Sequence, residues 1–361
     1  MSNLERSHSP IYRQSSKDCW LAVNLSGLIP GAGQCYGNLW TKGSIIFSLF
    51  FALLGRALWS LFAAEGSTAQ AFLLLGMAAF VYLLNIWDAF ATVGRPQYPL
   101  GNKRKGRDLW YSVFLSQVLP GLGHLYLNRA AMGGFFLALG IGLATLANHH
   151  SLLLPLACTI WSLSGYHAYR TGPNNKVGTG ADRSTKMLML VIIGSLLLRL
   201  SIGSLPMWID SAILQCIVPS ESMVPTLQVR DRIFVSRNPR YYPKASDIVV
   251  FTAPPAAASV LEADTDDLFV KRIIATPGQK VSVREGQVLV NNIALEESYI
   301  SAPANYRWGP QLVPPNEYFV LGDNRIASAD SHVWGFLPRE EIVGKAYKIY
   351  WPLERVRSLK R

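Results

Sequence analysis

The order of apolar and polar positions divides this chain into two unlike parts. Apolar stretches near 44–64, 70–90, 111–147, 152–169 and 187–208 approach the ~20 residues with which a helix crosses ~30 Å of hydrocarbon. The third is long and interrupted by "PGLG", so its spanning part is expected at 133–148. Beyond 208 the pattern shortens to β-branched runs punctuated by Gly and Pro, among them "DRIFVSR", "SDIVVFTAPP", "DLFVKRIIATPG" and "NEYFVLGDNR". Such runs predict a mostly-β domain of many short strands. "VSVREGQVLV" carries valines two apart on either side of Glu285 and Gly286 and predicts a hairpin. "PPAAASVLEADTDD" (254–267) lacks alternation and reads as a loop. The expected fold is an α-helical membrane half of about five transmembrane helices followed by a mostly-β domain. Its expected segments are a multi-pass region at 1–186, a last anchor helix at 187–208, the β domain at 209–353 and a solvated basic tail at 354–361.

An internal repeat lies within the membrane half. "PGAGQCYGNLWTKG" (30–43) and "PGLGHLYLNRAAMG" (120–133) share Pro30/Pro120, Gly31/Gly121, Gly33/Gly123, Tyr36/Tyr126, Asn38/Asn128 and Gly43/Gly133 at one constant offset, a coincidence that points to duplication. A looser echo, "WDAFATVGRP" (87–96) against "YHAYRTGP" (166–173), extends the units to 30–96 and 120–173. Each unit reads as Pro-Gly turn, helix, short outer loop, helix, basic exit. The glycines suit a tight turn or close helix approach, and a non-helical Pro-Gly segment at membrane depth has to pack against protein. Packing or guiding of substrate is the expected role.

Composition agrees with a membrane protein: of 361 residues, 50% are hydrophobic and only 16% charged, outside the range usual for soluble chains. The net charge of +11 does not read as a nucleic-acid surface, because the basic residues flank apolar runs. Arg6, Arg13 and Lys17, then Arg95, Lys103, Arg104, Lys105 and Arg107, then Arg170, Lys176, Arg183 and Lys186, alternate with the links "AEGSTAQ" and "NHHSL", which carry no Lys or Arg. The basic segments are expected in the cytoplasm and the β domain outside it. The polar first twenty residues lack the apolar core of a cleavable leader and are expected to stay on the mature protein. Only Cys216 of the four cysteines lies beyond 208, so no disulfide within the β domain is expected. Arg56, Asp88, His167 and Arg199 are ionisable groups within or near apolar runs, all close enough to a predicted end to snorkel. His149 and His150 read as an outer-loop tip rather than a metal site, since no carboxylate or cysteine accompanies them.

In the β domain the chemistry narrows by elimination. His332 is the only histidine beyond residue 167, which leaves no HExxH cluster and no bound catalytic metal to expect. A Ser-His-Asp triad has only His332 and a neighbour such as Asp330 to draw on, and "SADSHVWG" contains no nucleophile-base arrangement. A serine activated by a neutral lysine remains, and it requires burial or like charge to lower the lysine pKa. In "LFVKRIIATPG", Lys271 shares a strand face with Phe269 and Ile273 and neighbours Arg272. A lone strand lysine is more often a solvated edge residue.

Four separated motifs tip the balance. "PSESMVPTL", "DIVVF", "FVKRIIATPGQKV" and "EYFVLGDNRIASADSHVWGFLP", in this order behind a membrane anchor, resemble those of the bacterial type I signal peptidases over roughly residues 190–352. The resemblance implies a membrane-bound serine endopeptidase that removes N-terminal signal peptides after small residues. It implies Ser222 as nucleophile, Lys271 as general base, and Ser220 as an oxyanion-hole donor beside the Ser222 N–H. Ser328 is implied to orient the lysine amine, and Arg272, Asp323 and Asp330 to act as structural support. No cofactor is expected. The implied partners are preprotein signal peptides, the bilayer and the protein-export machinery, with the catalytic domain on the periplasmic or lumenal side. Three positions depart from the family pattern: His332 replaces an arginine after "ADS", Gln279 an aspartate after "PG", and "AT" stands before that pair where a glycine is common. The rival readings are a non-catalytic scaffold that binds exported chains through a peptidase-like domain, and a self-cleaving Ser-Lys repressor. The second needs a soluble DNA-binding module where residues 1–208 offer a membrane bundle.

Overall fold

A computed structural model describes residues 17–93, 107–172, 181–262, 264 and 266–359. Its contacts form two compact units, one of residues 1–54 and 76–204 and one of 55–75 and 205–361. The basic stretches at 1–16, 94–106 and 173–180, on which the orientation largely rests, lie outside the described residues.

Two matching sets of helices make up the first unit, except that residues 55–75, the end of α3 and the start of α4, belong to the second: α1 (Cys19–Leu28), α2 (Ala32–Tyr36), α3 (Trp40–Phe62) and α4 (Thr68–Val93), then α5 (Leu109–Val118), α6 (Leu122–Tyr126), α7 (Ala130–His149) and α8 (Leu154–Thr171). The long helix α9 (Ala181–Ala212) follows. The duplication explains its shared residues. Asp18 and Asp108 cap α1 and α5 by accepting the N–H of the second and third residues beyond them. Each Asp N–H in turn donates to a tyrosine hydroxyl, Tyr36 or Tyr126. Gly31 and Gly121 take φ of 90° and 92°, and a Cβ on either would lie 2.1 Å from the carbonyl oxygen of Gly43 or Gly133. Only glycine fits that turn and that crossing. The Asp18/Asp108 match lies twelve residues before the segment on which the repeat was recognised, at the same offset, so the sequence carried the signal.

Four helices among the described residues are long and apolar enough to cross a membrane: α3, α4, α7 and Ser184–Ala212 of α9. The stretch at 152–169, also expected to cross, is helix α8, which is not among these four: it has 18 residues and carries buried Ser162 and Ser164. These polar residues serve packing: Ser164 Oγ accepts the Gly121 N–H at 2.8 Å. Asn85 Oδ1 on α4 does the same for Gly31 at 2.9 Å. The unit's core joins Leu21, Trp110, Val113, Tyr169, Leu188 and Val191.

The second unit is mostly β. One sheet runs β1 (Ile213–Ile217), β2 (Arg232–Ser236), β11 (Ile342–Trp351), β3 (Ile248–Thr252), β4 (Leu268–Ala275), β9 (Glu317–Leu321) and β10 (Leu337–Pro338), with β12 (Arg357–Ser358) pairing β11. A smaller sheet runs β7 (Ile293–Ala294), β6 (Gln287–Val290), β5 (Lys280–Arg284) and β8 (Trp308–Leu312). All ladders are antiparallel. The expected hairpin is β5–β6, with Val283 opposite Val288 and positive φ at Glu285 and Gly286. Val281, Val283, Val288, Phe319 and Leu321 share a core cluster drawn from both sheets.

Two local expectations need correction. Within 254–267, read as a loop, Pro255–Leu261 form helix α10, because an alanine-rich turn with Pro at its first position is helix-competent without any alternation. The tail is not solvated as far as residue 359. Arg355 pairs with Asp231 through two 2.8 Å bonds, β12 adds to β11, and Leu359 packs on the core. The last helix, α11 (Ser331–Trp334), is a single turn capped by Asp330.

Candidate active site

The site begins with a loop that hydrophobic anchors hold in place. Between β1 and β2, "VPSESMVPTL" buries Val218, Met223 and Leu227 in the cluster around Ile233, Val235 and Ile349. Full burial of each such side chain contributes roughly 2 kcal/mol. The Leu227 N–H closes the turn onto the Met223 carbonyl at 2.9 Å. Ser222 therefore sits on a pinned turn, with Ser220 beside it.

Lys271 comes from β4, which is an interior strand with β3 on one side and β9 on the other. A lysine there has no edge from which to reach water. It is 4% exposed, and Val249 stands opposite it on β3. Its Nζ donates to Ser222 Oγ at 2.9 Å and to the Val270 carbonyl at 3.1 Å. Burial lowers its pKa to about 8, against an opposing pull from the Asp330 carboxylate. Ser220 Oγ donates to Ser222 Oγ at 3.2 Å.

The far wall is the turn after β9. A Cβ on Gly322 would lie 2.3 Å from Ser328 Oγ and 2.4 Å from the Ser222 carbonyl oxygen, so glycine permits the two loops to meet. The Asn324 N–H then donates to the Ser222 carbonyl at 3.0 Å. Asp323 accepts a bidentate pair from Arg272, Nε to Oδ1 at 2.8 Å and Nη2 to Oδ2 at 2.6 Å. Arg272 also donates to the Ser246 carbonyl and lies 4.1 Å over the Tyr299 ring. Asp330 is fully buried, accepting the Gly322 N–H at 2.9 Å and bonding His332 Nδ1 at 2.7 Å.

The fold thus brings Ser220, Ser222, Lys271, Gly322 and Ser328 around one point. One expected contact is absent. Among the described residues Ser328 Oγ has no hydrogen-bond partner, and the second bond of the lysine amine goes to Val270. The resemblance implied a Ser328–Lys271 contact; here the carbonyl on the lysine's own strand takes that place. Sequence reasoning also missed Arg325, 1% exposed, which forks onto Glu297 with Nη1 3.0 Å from Oε2. Its signal was an arginine inside "LGDNRIASAD", a segment already singled out.

Residues 190–351 match the family described as "Signal peptidase, peptidase S26". A signal peptidase I of Leptolyngbya laminosa is 44% identical over 144 residues, 39% of this chain and 70% of that protein. Thylakoidal processing peptidase 1 of Arabidopsis thaliana is 44% identical over 143 residues, covering 38% of this chain and 42% of that one. A signal peptidase I crystal structure from Enterococcus faecalis is 27% identical, with a TM-score of 0.25, over 29% of this chain and 97% of that chain.

Proposed function

Since the chain belongs to the signal peptidase family, peptidase S26, and is a membrane-associated serine endopeptidase that removes signal peptides from preproteins, we propose that Ser222 and Lys271 perform the cleavage. Neutral Lys271 takes the Ser222 hydroxyl proton across their 2.9 Å hydrogen bond while Oγ attacks the carbonyl of the last residue of the signal peptide. The Ser222 N–H and the Ser220 hydroxyl face the oxyanion as it forms, which requires Ser220 Oγ to release Ser222 Oγ. The lysine ammonium passes its proton to the departing amine, leaving an acyl-enzyme at Ser222. Lys271 then draws a proton from water to hydrolyse it. Asp323 and Arg272 hold β4 to the turn after β9, and Asp330 shapes that turn. Ser328, buried against the Gly322 position, belongs to the wall that meets the Ser222 turn.

The observation that carries this reading is a buried lysine, its pKa brought down to about 8, bonded to a serine on an anchored turn. At pH 7 such a lysine is neutral in about one molecule in ten, enough to act as base where a free lysine is not. A non-catalytic scaffold has no use for that arrangement. The test is cleavage of a preprotein with Ala-x-Ala before its junction, by the detergent-purified protein and its Ser222→Ala form. Wild type alone should cut, with kcat/KM rising with pH along a limb near 8. A limb at the value of free lysine, or equal cutting by both forms, rejects the assignment.

The equivalence of α4 and α8 in the repeat favours five crossings, and the basic segments favour a cytoplasmic N-terminus with residues 209–353 as the extracytoplasmic catalytic domain behind the 187–208 anchor. On that side, periplasmic or lumenal, the serine meets cleavage sites as they emerge, and the export machinery that delivers them is a natural partner. Residues 1–186, which lie outside the family match, form the multi-pass region.

A further inference from the structure

A lysine far from the catalytic pair is buried in a manner its own strand does not explain. On β11, Ala346 and Ile349 enter the core cluster, and a register shift between Ala346 and Lys348 sets Lys348 on the face opposite Ile349. Toward β3 that face carries the buried cluster of Ile342, Val249 and Phe251, but Lys348 is not part of it. Yet Lys348 is 0% exposed, because residues 55–75, the tip joining α3 to α4, pack within this unit. Its Nζ donates to the Ser60 carbonyl at 3.0 Å and the Leu61 carbonyl at 2.7 Å. These belong to the last turn of α3, where carbonyls lack partners within the helix and the helix dipole is negative. An ammonium is the complementary cap.

Other contacts fit the same docking. Phe62 lies against Phe234 of β2, with ring centroids 5.8 Å apart, and Phe234 stacks on Tyr350 at 4.1 Å. The tip is itself stiff: Ser60 Oγ bonds both the carbonyl and the N–H of Ser67, and a Cβ on Gly66 would lie 2.1 Å from the Ser60 carbonyl oxygen. From this tip α3 and α4 run on through stretches of membrane-spanning length. The strands it touches, β2 and β11, continue the sheet from β1, which follows α9 directly and leads into the Ser222 loop.

We propose that the α3–α4 tip is a clamp on the catalytic unit, and that Lys348 is its positioning residue for cleavage of substrates whose apolar segment lies in the bilayer. One covalent link, α9 to β1, leaves the serine free to swing about it. A second point of attachment on β11 removes that freedom, and a scissile bond emerging a few residues beyond a membrane-inserted segment meets the serine at a set height. A short soluble peptide diffuses to the serine in any orientation and gains nothing from the clamp. The proposal rests on the assignment of Ser222 as nucleophile.

The test uses the full chain in liposomes with two substrates: a preprotein whose apolar segment inserts, and a water-soluble peptide spanning only the cleavage site. Lys348→Met should lower kcat/KM for the preprotein about tenfold while leaving the peptide within about twofold, and Lys348→Arg should restore most of the loss. Gly66→Val, which spoils the tip without touching the sheet, should reproduce the Lys348→Met pattern. Equal loss on both substrates, or no loss on either, overturns the clamp. A readout independent of catalysis accompanies this one. Added protease should nick 63–67 faster in Lys348→Met than in wild type, and equal rates reject the docking even if the Ser222 assignment itself fails.

Discussion

In its proposed role as base, Lys271 has to give up its proton more readily than a free lysine while staying within reach of Ser222, and burial in an interior strand serves both. The same burial ties stability to pH. Its folded-state pKa, about 8, lies below the ordinary 10.5, so between those values the unfolded chain binds more protons and stability rises with pH. Below pH 8 the folded protein carries the full cost of a buried ammonium. Lys271→Met should therefore unfold later than wild type at pH 7, by up to about 3 kcal/mol, with the gap closing toward pH 10.5. Denaturant titrations of both proteins across that range measure it, and a gap constant in pH refutes the linkage. Ser220→Ala should lower kcat about a hundredfold with little change in KM, because its hydroxyl is asked to act only on the developing oxyanion. A rise in KM at unchanged kcat would instead make Ser220 a substrate-binding residue. "SES" and "VKR" made both positions visible in the sequence. The lysine's actual partner was not visible, since a Val270 carbonyl is no different from any other carbonyl until the strand is built.

Strand β4 explains why a lysine that reads as an edge residue when taken alone is buried. Neighbours β3 and β9 join it from before and after in the chain, and no periodicity within "LFVKRIIA" announces both. The turn after β9 is the second essential element. Gly322→Ala puts a methyl group into the space held by Ser328 Oγ and the Ser222 carbonyl, so the serine turn must shift. Activity should fall about a hundredfold or more, since small misplacements of reacting groups are costly, while far-ultraviolet circular dichroism stays close to wild type. Near-normal turnover would show that the two loops tolerate separation. Helix α10 escaped the reading for the opposite reason: seven residues are too few for a helical period to register.

Across the whole molecule, duplication is the strongest organising fact outside the peptidase match. It reaches the buried hydrogen bonds, where Asn85 and Ser164 on the returning helices satisfy the Gly31 and Gly121 N–H groups. Ser164→Ala leaves a buried donor without its partner and should cost about 1–3 kcal/mol, read as a lowered melting temperature of the full chain in detergent. An unchanged melting temperature would remove Ser164 from the packing of the repeat. The sequence by itself determined the two-part architecture, the repeat and the four peptidase motifs, because membrane-length apolarity, Pro-Gly turns and β alternation are local properties of the chain. Only the tertiary structure decided that β4 is interior, that the tail from Arg355 to Leu359 folds back, and that residues 55–75 belong with the catalytic unit. Each of these depends on which distant segment covers a given face, and burial of Lys348 under carbonyls nearly three hundred residues away is set by packing that no neighbouring residue encodes.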